Sequence, residues 1–125
     1  MVDPAARLAD DVAVGPHVVI EEDVTVGAGT VLTAGTVLLD GTRVGARCRL
    51  GPYAVIGSTP MDRDFAGEAS TAVLDDDVEV REFATVHRAT GASAATRVGR
   101  GALVMSYVHV SHNGDVGAGA VLTNM

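Results

Sequence analysis

An aliphatic residue recurs at every sixth position along the first half of the chain: Val2, Leu8, Val14, Ile20, Val26, Leu32, Leu38, Val44, Leu50 and Ile56. Four residues after each stands a second, smaller one: Ala6, Val12, Val18, Val24, Thr30, Thr36, Thr42, Cys48 and Ala54. No helix has this period, because six steps of about 100° would send successive aliphatics in three directions. A straight strand fails as well. Positions two apart share a face of a strand, yet the position midway between the two apolar ones holds Pro4, Asp10, Pro16, Glu22, Asp40 or Pro52. The chain must turn between its inward positions. The following position agrees, since Gly29, Gly35, Gly41, Asp11, Asp23 and His17 include residues that tolerate a positive φ.

Short strands joined by corners wind into a solenoid. Three corners of about 120° close a triangle of about 18 residues, and about six such coils stack at about 4.8 Å. The pattern resembles the hexapeptide-repeat left-handed β-helix. This predicts an all-β protein, a single-stranded left-handed parallel β-helix spanning residues 1–125, with one or two external loops. The left hand comes from that resemblance, because the general crossover rule favours right-handed connections. Continuing by sixes from Ile56 would bury Asp62 and Glu68, so an excursion is expected at about 58–71. The repeat resumes at Leu74, Val80 and Val86, and again at Val98, Val104, Val110, Val116 and Leu122. The stretch between, residues 91–97, reads either as a second excursion or as a degenerate hexad with Ala92 inward. As an excursion it sets the hexad of Val110 above that of Val86, and His87 one layer from His112. As a hexad it sets His87 under Met105.

Composition narrows the function classes. Apolar residues make up 47 % of the chain and charged residues 20 %, which excludes a disordered chain. Two Tyr, two Phe and no Trp argue against a core built on aromatic anchors. The net charge is −7 and no basic cluster is present, which argues against nucleic acid and anionic membrane as partners. No apolar run approaches the ~20 residues of a transmembrane helix. The opening MVDPAARLADD lacks the apolar stretch of a signal peptide, and a lone cysteine fits a reducing compartment. Together these point to a cytoplasmic protein.

Four histidines are candidates for chemistry. His17 falls at a corner among ordinary repeats and reads as a turn residue. His109 and His112 flank the inward Val110 and face outward near one corner, where an imidazole can act as a general base near neutral pH. The segments VREFATVHRAT (80–90) and HVSHNGDVGAGAVLTN (109–124) resemble the signature stretches of the UDP-N-acetylglucosamine O-acyltransferases of lipid A biosynthesis, within the hexapeptide-repeat transferases. The order of parts is also similar: a run of hexads, a loop carrying Asp62 and AGE (66–68), the VHR stretch, a second small loop, then the His-x-x-His coil.

The resemblance implies a homotrimer with clefts between neighbouring β-helices. It implies transfer of a (hydroxy)acyl chain from acyl carrier protein to the 3-hydroxyl of UDP-N-acetylglucosamine or a related sugar, without cofactor or metal. His112 takes the place of the family's general base, while His109, His87 and Asp62 take the places of residues that line the site and contact or orient substrate. The family's C-terminal helical domain lies outside these 125 residues, so a non-catalytic trimeric scaffold or fragment descended from such a transferase is the alternative. The first loop departs from the family pattern, with Met61, Asp62, Arg63, Asp64 and Phe65 where the family typically has Gln-Asp-Leu-Lys-Tyr, so that Asp64 stands in place of a lysine. Asn113 stands where the family usually has an Asp that orients the base.

Of the remaining candidates, Cys48 occupies an inward position and reads as core packing. Asp75, Asp76 and Asp77 read as a solvated corner.

Overall fold

The aliphatic period builds what it predicts. In a computed structural model describing residues 1–125, seventeen short strands follow one another round a triangular solenoid. The first six are β1 (Arg7–Leu8), β2 (Ala13–Val14), β3 (Val19–Ile20), β4 (Val24–Val26), β5 (Val31–Leu32) and β6 (Val37–Leu38). Next come β7 (Thr42–Val44), β8 (Arg49–Leu50), β9 (Val55–Ser58), β10 (Thr71–Leu74), β11 (Glu79–Val80) and β12 (Thr85–His87). The last five are β13 (Ala95–Val98), β14 (Leu103–Val104), β15 (His109–Val110), β16 (Asp115–Val116) and β17 (Val121–Leu122).

Every third strand stacks on the same face, always parallel. One sheet runs β1-β4-β7-β10-β13-β16, a second β2-β5-β8-β11-β14-β17, and a third β3-β6-β9-β12-β15. The register pairs each inward residue with the next coil's inward residue: Val26 with Val44, Leu32 with Leu50, Leu38 with Ile56, and Val86 with Val110. The core is a column of aliphatics in which Ile20, Leu38, Leu50, Ile56, Val80, Val86 and Val104 are fully buried. Thr30, Thr36 and Thr42 also point inward, and their hydroxyls donate to backbone carbonyls of Gly45, Leu50 and Ile56 in the neighbouring coil. This partnering removes the penalty of burying a hydroxyl.

The corners differ in part from expectation. His17, Gly29, Gly35 and Gly41 do adopt positive φ, but Asp11 and Asp23 do not. Arg47, Tyr53, Asp77, Phe83, Tyr107 and Asn113 do instead, at φ of 55–63°. Tyr53, Phe83 and Tyr107 occupy one corner in successive coils and stack, with ring centroids 5.5 and 5.2 Å apart. None of the aromatic side chains is buried in the core, because the tube is only wide enough for aliphatics.

The two excursions leave from the same corner of consecutive coils. One replaces the β9–β10 corner with residues 59–70, and the other replaces the β12–β13 corner with residues 88–94. The second is placed earlier than expected: Ala95–Arg97 belong to β13, Thr96 points inward, and Ala92 is exposed rather than inward. Alternation of side chains along β13 explains this, since Thr96 lies two residues before the inward Val98.

Candidate active site

The ladder between β12 and β15 decides which histidines meet. It sets Thr85 opposite His109 and Val86 opposite Val110. The Thr85 hydroxyl lies 2.8 Å from His109 Nδ1. The His87 ring meets the His109 ring edge to face, with centroids 4.6 Å apart. His87 is partly buried, and its Nδ1 is enclosed without a hydrogen-bond partner. Burial first, and then the facing His109, push its pKa below the ordinary histidine value.

His112 sits at the corner just beyond β15. Its Nδ1 lies 2.8 Å from Asn113 Oδ1 and 3.9 Å from Asp62 Oδ2. Asn113 takes the positive φ of that corner, 61°, which asparagine tolerates better than most side chains. Its backbone N–H donates to the Thr96 hydroxyl, and its carboxamide pairs with the backbone of Thr90. This pairing orients the amide with its oxygen towards His112. An oxygen there can only accept, so the proton of a neutral His112 ring sits on Nδ1 and the lone pair on Nε2.

The 59–70 excursion delivers Asp62. A tight turn holds the carboxylate: Asp64 N–H donates to Asp62 Oδ1 at 3.0 Å, and Phe65 N–H donates to the Asp62 carbonyl at 3.1 Å. The Asp64 N–H is the main reason the Asp62 pKa lies below the usual carboxylate range. Glu68 ties the two excursions together, with its carboxylate accepting from Ala66 N–H and Gly91 N–H. The Gly91 N–H is the main reason its pKa is also lowered. The Arg88 guanidinium lies over the Phe65 ring, 5.2 Å from its centroid.

His87, His109, His112 and Asp62, which are far apart in sequence, are thus gathered at one corner over two coils and a loop. The gathering includes Glu68, which sequence reasoning placed in the loop beside Asp62, and Thr85, Thr90, Arg88 and Phe65, which it did not propose as site residues. Thr85 could have been found by pairing hexads across the second interruption. Thr90 and Arg88 had no signal beyond lying in the VHR stretch.

The other candidates lie elsewhere. His17 is a corner residue with φ 60°. Cys48 is buried with its thiol directed at the Asp75 carbonyl, 3.2 Å away, and burial raises its pKa. Asp75 pairs with Arg97, and Asp77 pairs with Arg47 and Arg100, which makes that corner an ion-pair ladder. No three metal-ligating side chains converge anywhere in the chain. No helix is long and apolar enough to cross a membrane.

Comparison with known proteins gives a consistent picture. The chain is 39 % identical, over 99 % of its length, to an acyl-(acyl-carrier-protein)–UDP-N-acetylglucosamine O-acyltransferase of Saccharophagus degradans, of which it covers 48 %. It is 42 % identical to the protein of that name from Stenotrophomonas maltophilia, with the same coverage of each. The solved structure of Francisella novicida UDP-N-acetylglucosamine acyltransferase superposes with a TM-score of 0.90 at 33 % identity, over 94 % of this chain and 44 % of that one. No family model matches. The chain spans about half the length of the curated relatives it matches. A coil of opposite hand could not superpose at such a score, so the solenoid is a left-handed parallel β-helix like those of the matching structures.

Proposed function

We propose that this chain, similar throughout its length to the UDP-N-acetylglucosamine O-acyltransferases, carries the histidine face of such an enzyme. It transfers a (hydroxy)acyl chain from acyl carrier protein to the 3-hydroxyl of UDP-N-acetylglucosamine or a related sugar. The observation that carries the reading is the His112–Asn113–Thr90 relay, which leaves His112 Nε2 unprotonated at a partly open corner.

The step balances without cofactor. The sugar hydroxyl oxygen attacks the thioester carbonyl carbon while His112 Nε2 takes its proton. The tetrahedral intermediate collapses by breaking the carbon–sulfur bond, and the leaving thiolate takes the proton from the imidazolium. Such a base contributes about 10²–10⁴ in rate, because a sugar hydroxyl is a weak nucleophile until its proton is leaving. Asp62, 3.9 Å from His112 Nδ1, favours the imidazolium that forms. His109, held by Thr85, and His87, packed against it, line the acceptor side, and Asp62 also contacts the sugar. The working form is a homotrimer whose clefts lie between neighbouring solenoids, in the cytoplasm.

The test is acyl transfer from acyl carrier protein to UDP-N-acetylglucosamine by the purified 125-residue chain, with the oligomer mass taken from the same sample. Transfer that falls by about 10²–10⁴ in His112→Ala is the expected result. Undiminished transfer by His112→Ala, or none from a well-folded trimer, overturns the proposal and favours a non-catalytic scaffold.

A further inference from the structure

Arg88 is distinctive among the nine arginines. Arg43, Arg47, Arg81, Arg97 and Arg100 each pair with a carboxylate. Arg7, Arg49 and Arg63 are exposed. Arg88 alone is partly buried with no acidic partner, and its Nε is enclosed without any hydrogen-bond acceptor. What it touches is a ring: Phe65 of the 59–70 excursion lies under its guanidinium. Its backbone N–H also donates to the carbonyl of Ser58, the last residue before that excursion. An arginine that forgoes an ion pair for an aromatic face is ordinarily a packing device.

The packing has a destination. Phe65 and Asp62 belong to one tight turn, closed by Asp64 N–H on the Asp62 carboxylate and by Phe65 N–H on the Asp62 carbonyl. Fixing the ring of Phe65 therefore fixes Asp62, with Oδ1 engaged inside the turn and Oδ2 directed at His112 Nδ1. By the β12–β15 register, Arg88 and His112 hold equivalent corner positions in consecutive coils. The arginine that holds the loop thus stands one layer from the imidazole the loop serves. The Glu68 contact to Gly91 anchors the far end of the excursion but not the Asp62 turn itself.

We propose that Arg88 is a positioning residue that, through Phe65, holds the 59–70 excursion so that Asp62 faces His112. This rests on the acyltransferase reading only for its catalytic consequence; the structural coupling stands apart from it. Loss of the guanidinium releases the Phe65 turn, and Asp62 then gives up its bond from Asp64 N–H and leaves His112.

The experiment follows the Asp62 carboxyl by carbon NMR titration in the full chain, in Arg88→Met, Phe65→Leu and Arg88→Lys, beside steady-state transfer. Arg88→Met and Phe65→Leu raise the Asp62 midpoint towards the ordinary carboxylate value, and Arg88→Lys, which keeps a cation over the ring, leaves it near wild type. In transfer, Arg88→Met loses about 10- to 100-fold, Asp62→Asn loses as much, and the double variant loses no more. An Asp62 midpoint unchanged in Arg88→Met and in Phe65→Leu overturns the proposal, as does an additive loss in the double variant. Absence of transfer in the wild type, with the midpoint moving as stated, overturns the acyltransferase reading and leaves the coupling established.

Discussion

Asn113 and Thr90 are paired like two strands of a sheet. Asn113 Oδ1 accepts from Thr90 N–H at 2.9 Å, and Asn113 Nδ2 donates to the Thr90 carbonyl at 2.9 Å. Only a carboxamide can make both bonds, so asparagine matches this backbone where a carboxylate would face a carbonyl. Thr90 lies within the 88–94 excursion, which presents a peptide group to the residue that orients His112.

Removing this pairing without straining the corner isolates its effect. Alanine at φ 61° would add about 1–2 kcal/mol of backbone strain, whereas glycine adds none. Asn113→Gly therefore keeps the fold and lowers kcat by about 10- to 100-fold, because the imidazole is no longer held in one orientation. Steady-state kinetics with a thermal melt of the same sample check both halves.

His87 gives the stability a pH dependence of defined sign. Its folded pKa lies below the ordinary histidine value of about 6.5, so as pH falls the unfolded chain takes up the proton first. The contribution is fully present above about pH 6.5 and is lost as pH falls from there towards the lowered folded pKa. The melting temperature should thus fall between pH 7.5 and pH 5.5 by more in the wild type than in His87→Gln. Equal slopes for the two proteins would remove His87 as the cause.

The aromatic ladder sets two costs against each other at Phe83. Its ring stacks on Tyr53 below and Tyr107 above, worth about 0.5–1.5 kcal/mol per pair. Its backbone sits at φ 60°, which costs a non-glycine residue about 1–2 kcal/mol. Phe83→Ala loses the stacks and keeps the strain, so it is destabilised by about 1–3 kcal/mol. Phe83→Gly loses both and recovers about 1–2 kcal/mol of that. Urea unfolding of the three proteins orders them: wild type, then glycine, then alanine.

Gly15 and Gly27 hold the same hexad position in different coils but differ in the closeness of the next coil. A Cβ on Gly27 would fall 2.6 Å from the Gly45 carbonyl carbon, while one on Gly15 would fall 3.1 Å from its nearest neighbours, Ala34 N and the Leu32 carbonyl oxygen. Gly27→Ala should cost about 1–3 kcal/mol by forcing two backbones apart, and Gly15→Ala should cost less. Calorimetric melts of the pair test whether close approach, rather than the hexad position itself, demands the glycine.

The inward positions were legible because one physical rule, burial at a fixed step, repeats along the chain. Val86, Val98 and Val110 were placed in this way, and so was the choice of Cys48 as a core residue. The corners were less legible. Asp11 and Asp23 look like turn residues but keep negative φ, while Tyr53, Phe83 and Tyr107 take positive φ because stacking between coils offsets the strain. Stacking is a contact between residues a coil or more apart, which local propensity does not register. The histidines of the site were legible as residue types with characteristic spacing. Thr90 and Arg88 were not, because their role arises only when two irregular excursions close on one another, and no period governs those.

The 88–94 excursion stands outside the count of sides. From Val86 to Val98 the chain uses two hexads' length to travel one side of the triangle. Cut the extra six residues and every later strand keeps its face, while Asn113 loses the Thr90 backbone that holds it. Cut instead one regular hexad between β13 and β15, and every later aliphatic still points inward, but each later strand is reassigned to the neighbouring face, and His109 and His112 are carried away from His87 and Asp62. A cut of one whole coil elsewhere would change the height of the column and nothing in its phase. Lineages carrying this fold can therefore gain or lose storeys freely, but an edit of a single side is a frameshift that the core tolerates and the site does not.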